Sequence, residues 1–216
     1  EDCLDVLDEV AALPIRHVGF KDVGVPRDTL AELVRRIRAR GGTSWLEVVS
    51  EGGAASLASI ETARRLGVDR IMGGVATDEI MAALDGLAAR YRPFPGRPEG
   101  HPTRLGGSAA DVAADCHRFA AMGCGGVDLL AFRACEADPL ALVRAARAAT
   151  DGELVVAGSI DGPERIAAIA EAGADAFTIG SAVFSGAFSP RKGSTLSQLK
   201  DVIAACESLS AARRRA

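Results

Sequence analysis

The chain contains, between Leu154 and Phe188, the stretch LVVAGSIDGPERIAAIAEAGADAFTIGSAVFSGAF. Two short apolar runs in it each lead into a Gly-Ser step, and a segment of helical period lies between them. This order predicts a strand–helix–strand unit whose parallel strands end side by side at one edge of a sheet. Glycine turns expose backbone N–H groups at such an edge, so we expect an anion cradle there. Its residues are Gly158, Ser159, Gly180 and Ser181.

Short apolar strands alternate with amphipathic helices along all 216 residues, which indicates a parallel sheet covered by helices. We predict seven strands and eight helices, with a helix first and a loop over 93–107. The glycine turns close the chain and do not follow its first strand. This position favours a TIM (β/α)8-type parallel barrel over a doubly wound open sheet. We expect one barrel domain over residues 1–216, with the first strand missing in front of Glu1. The predicted strands are 15–20, 44–49, 70–72, 91–94, 127–132, 154–157 and 176–179.

Composition argues against several classes of protein. The formal net charge is −4, whereas a nucleic-acid-binding protein normally shows a basic field. The five cysteines include no C-x-x-C pair, so neither a disulfide framework nor a zinc site is predicted, and a reduced, cytoplasmic protein is expected. No apolar run approaches the length of a membrane span. We predict no nucleic acid, no membrane, no metal and no cofactor, and a homo-oligomer remains open.

The segments VVAGSID and AGADAFTIGSAVFSGAF resemble the C-terminal quarter of the ribulose-phosphate-binding barrels. That superfamily includes the histidine-biosynthesis isomerase and cyclase and N-acylmannosamine-phosphate epimerase. The resemblance implies that the two Gly-Ser turns bind a phosphate group through backbone N–H groups. It does not specify the reaction, because strand 91–94 carries no acid where the histidine-pathway enzymes have an aspartate.

Four ionisable residues are candidates for catalysis because they lie on strands or at their C-terminal ends, where barrel enzymes place their reacting groups. Lys21 and Asp22 end the strand 15–20, and Lys21 is either an electrophile, a phosphate contact, an imine former or the partner of a nearby carboxylate. Glu47 lies within an apolar strand and is either a general acid or base or half of a structural ion pair. Asp128 is similar, but it also matches a Gly-x-Asp turn found at Asp69 and Asp175.

Three further residues are candidates for contacts with the substrate. His101 and Arg104 lie in the long Pro/Gly-rich loop, and loops of this length in compact domains are often lids or binding loops. Arg133 follows the strand that carries Asp128, where an anion contact and a plain surface position are equally compatible with the sequence.

Together these residues predict an enzyme that acts on a small phosphorylated metabolite, a sugar phosphate or sugar-acid phosphate. An isomerase, an epimerase or an aldol-type lyase would use them for proton transfer next to a carbonyl group. A synthase or decarboxylase on the same scaffold is an alternative, and so is a barrel that binds a phosphorylated ligand without catalysis.

Overall fold

The structure, a computed structural model, describes residues 3–50, 52–100 and 102–214. Within these ranges, strands and helices alternate as the sequence predicts, except between 93 and 107, where two further strands occur. The predicted lid residue His101 lies outside the described ranges. The helices are α1 (Cys3–Glu9), α2 (Arg27–Ala39), α3 (Gly53–Leu66), α4 (Thr77–Leu84), α5 (Ala109–Ala121), α6 (Pro139–Ala149), α7 (Pro163–Glu171), α8 (Ser181–Phe184) and α9 (Thr195–Arg213). The strands are β1 (His17–Lys21), β2 (Thr43–Val48), β3 (Arg70–Gly73), β4 (Tyr91–Arg92), β5 (Arg97–Glu99), β6 (Arg104–Gly106), β7 (Gly126–Leu129), β8 (Glu153–Val156) and β9 (Ala176–Phe177).

Seven of these strands run parallel in chain order. β1 to β4 form one set and β7 to β9 another. The two sets meet where Gly125 N–H donates to the Tyr91 carbonyl at 3.1 Å and Asp128 N–H to the Pro93 carbonyl at 2.9 Å. Within the described ranges β1 and β9 are the outer strands of this sheet, and the strand predicted in front of Glu1 stays a prediction.

The sheet curls, because side chains from its two distant halves contact each other. Trp45 and Met72, from β2 and β3, pack against Val155 and Ala176, from β8 and β9. On β2 the neighbouring residues Leu46 and Val48 point the other way and pack among residues of the covering helices. Alternation along a strand then sends Trp45 and Glu47 into the interior enclosed by the sheet.

Local sequence signals explain several helix boundaries. Ser108 and Asp111 have the spacing of a capping box, and they form one at the start of α5. At the start of α6 the Asp138 carboxylate accepts a hydrogen bond from a backbone N–H, and Pro139 is the first helical residue. The spacing of Asp161 and Glu164 in the sequence also predicts a capping pair, and this prediction is wrong. Helix α7 begins after Gly162 without a side-chain cap, and Asp161 forms an ion pair with Arg165 instead.

The segment predicted as a loop over 93–107 contains an antiparallel hairpin, β5–β6. Its Leu105 is fully buried, and the Leu105 carbonyl accepts a hydrogen bond of 3.0 Å from Cys135 N–H. The Glu136 carboxylate binds Arg97 at 2.8 Å and Gly107 N–H at 3.0 Å. The hairpin is therefore attached to the segment that follows β7. That segment begins with a 3-10 turn (Ala131–Arg133). The predicted strand 127–132 is therefore too long, because Phe132 lies in this turn.

Candidate functional site

The most unusual polar residue of the fold is Asp128 on β7. Its exposed fraction is 0%, and neither carboxyl oxygen has a hydrogen-bond partner among the described residues. Val127 and Leu129 pack outward into the helix-covered core, so Asp128 points into the interior of the curled sheet. Burial raises the pKa of Asp128 well above its usual range, and the nearby Glu47 carboxylate raises it further. Arg133 opposes this rise. Asp128 therefore favours its neutral, protonated form.

The sequence match between Asp128 and the Gly-x-Asp turn is wrong. In the two true turns, Gly67 and Gly173 end a helix with a positive φ, and the residue after each returns a hydrogen bond to the helix. After α5 the glycine with a positive φ is Gly123, at +82°, and the residue that returns the hydrogen bond to the helix is Cys124. The position equivalent to Asp69 and Asp175 is therefore Gly125, and Asp128 lies further along the strand.

Glu47 lies near the C-terminal end of β2 and shares the interior with Asp128. Burial raises the pKa of the Glu47 carboxyl, while Lys21 and Arg133 act to lower it. Lys21 is the residue paired with Glu47 in the register of β1 and β2, and its side chain is exposed. Three of the predicted residues, Lys21, Glu47 and Asp128, are thus brought into one electrostatic neighbourhood with Arg133.

Arg133 connects this cluster to the first predicted phosphate turn. Its guanidinium donates a hydrogen bond of 3.3 Å to the Thr103 carbonyl beyond β5. It also lies directly against Gly158, because a Cβ atom added at Gly158 would fall 2.3 Å from Arg133 Nε. The side chain can pass there only because residue 158 is a glycine. The reading of Arg133 as a plain surface residue is therefore wrong, since the side chain is half-buried at the mouth of the curled sheet.

The two Gly-Ser turns lie after β8 and β9. Gly158 and Ser159 both have positive φ, at +77° and +58°, and Ser159 is one of few non-glycine residues with this conformation. The Ser159 carbonyl is held by the Arg165 guanidinium, which also stacks on Phe132 at 4.7 Å. Within residues 3–50, 52–100 and 102–214, the backbone N–H groups of the four turn residues bond to no protein acceptor. Such N–H groups suit an anion.

Asp22 is committed to a different task. Its carboxylate accepts hydrogen bonds from Val49 N–H at 2.9 Å, from the Ser50 hydroxyl at 2.5 Å and from the Ser59 hydroxyl at 2.6 Å. These bonds fix the loop that follows β2. Asp22 therefore acts as a positioning residue for the site, and a catalytic role for it stays a prediction. Arg104 lies on β6 of the hairpin and is exposed. Its predicted contact with the substrate stays a prediction.

Sequence reasoning missed two contributors to this site. Thr103 offers the carbonyl that holds Arg133, and Arg165 holds the Ser159 carbonyl. For Arg165 a signal exists in the sequence, because its spacing from Asp161 is that of an i,i+4 ion pair. For Thr103 there is none, since the contact joins segments that are distant in the chain. No group of three or more His, Cys, Asp or Glu side chains suited to a metal ion occurs in the described part of the chain.

A cavity of about 610 Å³ lies at the opposite, N-terminal ends of the strands. Four of its charged side chains are paired with each other, Arg92 with Glu153 at 2.8 Å and Arg147 with Asp175 at 2.8 Å. We place the candidate site at the C-terminal ends, because the buried Asp128 carboxyl there has no hydrogen-bond partner among the described residues and parallel barrels carry their reactive residues at that end.

No protein-family model matches the sequence, and no curated relative does either. Solved structures match the fold at low identity. A cube-shaped cage designed by fusing symmetric oligomeric domains aligns with a TM-score of 0.67 and 13% identity, over 98% of this chain and 71% of that one. A mandelate oxidase mutant with the monooxide FMN adduct aligns with a TM-score of 0.59 and 17% identity, over 90% and 64%.

FabK from Thermotoga maritima aligns with a TM-score of 0.53 and 15% identity, over 75% of this chain and 49% of that one. The chain therefore covers less than two thirds of the length of either enzyme structure. At these identities the likeness shows the fold alone, which is of the TIM-barrel class. The narrower resemblance to ribulose-phosphate-binding barrels stays a prediction. Among the described residues no helix has the length and apolar character needed to cross a bilayer.

Proposed function

We propose that the chain is an enzyme that moves a proton next to the carbonyl group of a small phosphorylated compound. An isomerase, an epimerase or an aldol-type lyase would all use this step. The observation that carries the proposal is Asp128, a fully buried carboxyl group without a hydrogen-bond partner among the described residues. A buried polar group without a partner is unfavourable for folding, so its presence in the interior of the curled sheet favours a role in binding or catalysis.

The two carboxyl groups divide the work of acid and base. A neutral Asp128 donates its proton in a hydrogen bond to the substrate carbonyl oxygen and stabilises the negative charge that develops there. Glu47 accepts the proton from the neighbouring carbon, and its raised pKa makes it a stronger base than an exposed glutamate. Paired carboxyl groups whose environments differ are a recurring arrangement for such chemistry.

The phosphate group would be held on the other side of the site. The N–H groups of the two Gly-Ser turns, which have no protein acceptor among the described residues, and the Arg133 guanidinium beside Gly158 would bind it. Arg133 would then have two roles, because it would bind the phosphate group and also lowers the pKa of Asp128. Lys21 keeps the alternative role of an imine former, which borohydride trapping with phosphorylated ketones tests directly.

The decisive experiment measures exchange of carbon-bound hydrogen in deuterated water by proton NMR. Phosphorylated ketones and aldehydes found by a thermal-shift screen are incubated with the protein, with Asp128→Asn and with Glu47→Gln. General acid–base catalysis contributes about 10²- to 10⁴-fold, so each variant should lose that much of the exchange rate. Asp151→Asn, an exposed carboxylate at the opposite end of the sheet, serves as the matched control. Exchange that is equally fast in all four proteins would refute the proposal.

A redox reaction is the second candidate, favoured by the likeness to a mandelate oxidase structure that carries an FMN adduct. FMN ends in a phosphate group and so belongs in the same ligand screen. Tight binding of FMN, seen as quenching of flavin fluorescence, together with no hydrogen exchange would favour this candidate. Binding without either reaction would leave the non-catalytic phosphate-binding barrel.

A further inference from the structure

A cavity opens beside the candidate site, at the C-terminal ends of β2, β3 and β4. Its volume is about 350 Å³, and its walls include the apolar residues Val49, Val75, Phe94 and Pro98. A cavity of about 150 Å³ suffices for a benzene molecule, so this one accepts a ring with a short chain attached. We call it the valine cavity. Val75 at its rim is 49% exposed, which is unusual for a large apolar side chain.

Two of the polar groups that line the valine cavity have partners within the protein. The Ser50 hydroxyl donates to Asp22 at 2.5 Å, and the Thr103 carbonyl accepts from Arg133 at 3.3 Å. Glu99 is exposed on the hairpin. Against the walls formed by Val49, Val75, Phe94 and Pro98, a polyhydroxylated group would leave hydroxyls without partners, and the charged residue that could accept from them is Glu99 at the exposed side. An apolar group has no such requirement.

The position of the cavity relative to the Gly-Ser turns fixes where each end of a ligand lies. The turns follow β8 and β9, whereas the cavity lies at β2 to β4, which belong to the other half of the parallel sheet. Arg133 touches both regions, through Gly158 on one side and the Thr103 carbonyl on the other. Glu47, on β2, directly precedes the wall residues Val48 and Val49. Asp128, on β7, lies between the two regions in the strand order, and Glu47 lies beside the cavity wall.

Resting on the proposed function, we propose that the substrate is amphipathic, with a phosphate group at one end and an apolar group, as large as a ring with a short chain, at the other. The phosphate group binds the Gly-Ser turns and Arg133, the apolar group fills the valine cavity, and the carbonyl lies between them. This narrows the substrate class from the sugar phosphates expected from the sequence to apolar phosphate esters.

The test compares two ligand series by NMR titration of the valine methyl groups. The first contains n-alkyl phosphates from methyl to hexyl, with inorganic phosphate as the starting point, and the second contains the matching primary alcohols. Once the alkyl chain reaches the cavity, burial of each added methylene should tighten binding by about fourfold until the cavity is full. The same gain per methylene should occur in both series, because the apolar cavity acts independently of the phosphate group.

A pair of variants locates the effect. Val75→Asn should abolish most of the gain per methylene, whereas Val23→Asn should keep it, since Val23 is similarly exposed at 46% and does not line the cavity. A flat dependence on chain length in both series overturns the inference, and so does an equal loss in the two variants. Failure of the proposed function is distinguishable. Equal binding of phosphates and alcohols, or an absence of hydrogen exchange, would refute the phosphate site or the chemistry while the gain per methylene persists.

Discussion

Gly158 provides the sharpest test of how the candidate site is built. Gly158→Ala adds one methyl group at a residue whose φ is +77°. The new Cβ would fall 2.3 Å from Arg133 Nε and 2.9 Å from Arg133 Cζ, and contacts this short do not occur in folded proteins. The Arg133 side chain must therefore move away from the turn. Because that side chain is flexible, the move is easier than a shift of the backbone, and the fold should survive.

The size of the two effects can be separated. A non-glycine residue in a left-handed conformation costs about 1–2 kcal/mol, which corresponds to a fall in Tm of about 2–8 °C for a chain of this length. Displacement of Arg133 affects anion binding instead. A hydrogen bond to a charged group contributes about 1.5–3 kcal/mol, so the affinity for a phosphate ester should fall by roughly 10- to 150-fold.

The assay combines thermal unfolding with calorimetric titration of methyl phosphate. Gly86→Ala is the matched control, because Gly86 has a φ of +80° and an added Cβ there would meet nothing within 4 Å. Both variants should lose a similar amount of Tm from backbone strain, and only Gly158→Ala should lose affinity. If the two variants bind methyl phosphate equally well, Arg133 does not help to hold the anion and the reasoning from its close approach to Gly158 is wrong.

Three further substitutions test single residues of the site. Burial raises the pKa of Asp128 above its unfolded value of about 3.9, so the protein should lose stability as pH rises from there through the raised pKa. Urea unfolding of Asp128→Asn should show a weaker loss of stability as the pH rises above about 4, and an unchanged slope would contradict the shift. Asp22→Asn removes a carboxylate that accepts backbone and hydroxyl hydrogen bonds, and should lower the free energy of unfolding by about 1–3 kcal/mol without moving the pH profile of hydrogen exchange. A moved profile with unchanged stability would restore Asp22 as a catalytic residue. Lys21→Met removes a charge that lowers the pKa of Glu47, so the rising limb of that profile should shift to higher pH, while Lys21→Arg should keep it in place.

The order of strands and helices is accessible from sequence because each strand is a short apolar run and each helix has a regular apolar face. The hairpin over 93–107 is not. Its prolines and glycines weaken any local strand preference, and its pairing depends on Leu105, which is buried through contacts with the segment after β7. A strand that forms for tertiary reasons leaves no periodic signal in its own residues.

The candidate site divides in the same way. Lys21 and Glu47 are identifiable because a charged residue on or at the end of an apolar strand is conspicuous. The setting of Asp128 depends on which glycine ends α5, and the sequence offers Gly123, Gly125 and Gly126 as competitors. The contact between Arg133 and Gly158 arises only when the sheet curls, so no local pattern reports it.

The attachment of the hairpin has a consequence for kinetics. Leu105 accepts a hydrogen bond from Cys135, and Glu136 binds both Arg97 and Gly107, so this wall of the site is in place before a ligand arrives. A preformed wall loses little conformational entropy on binding and requires no rearrangement before the complex is complete. Stopped-flow binding should then show a single phase whose rate rises linearly with ligand concentration.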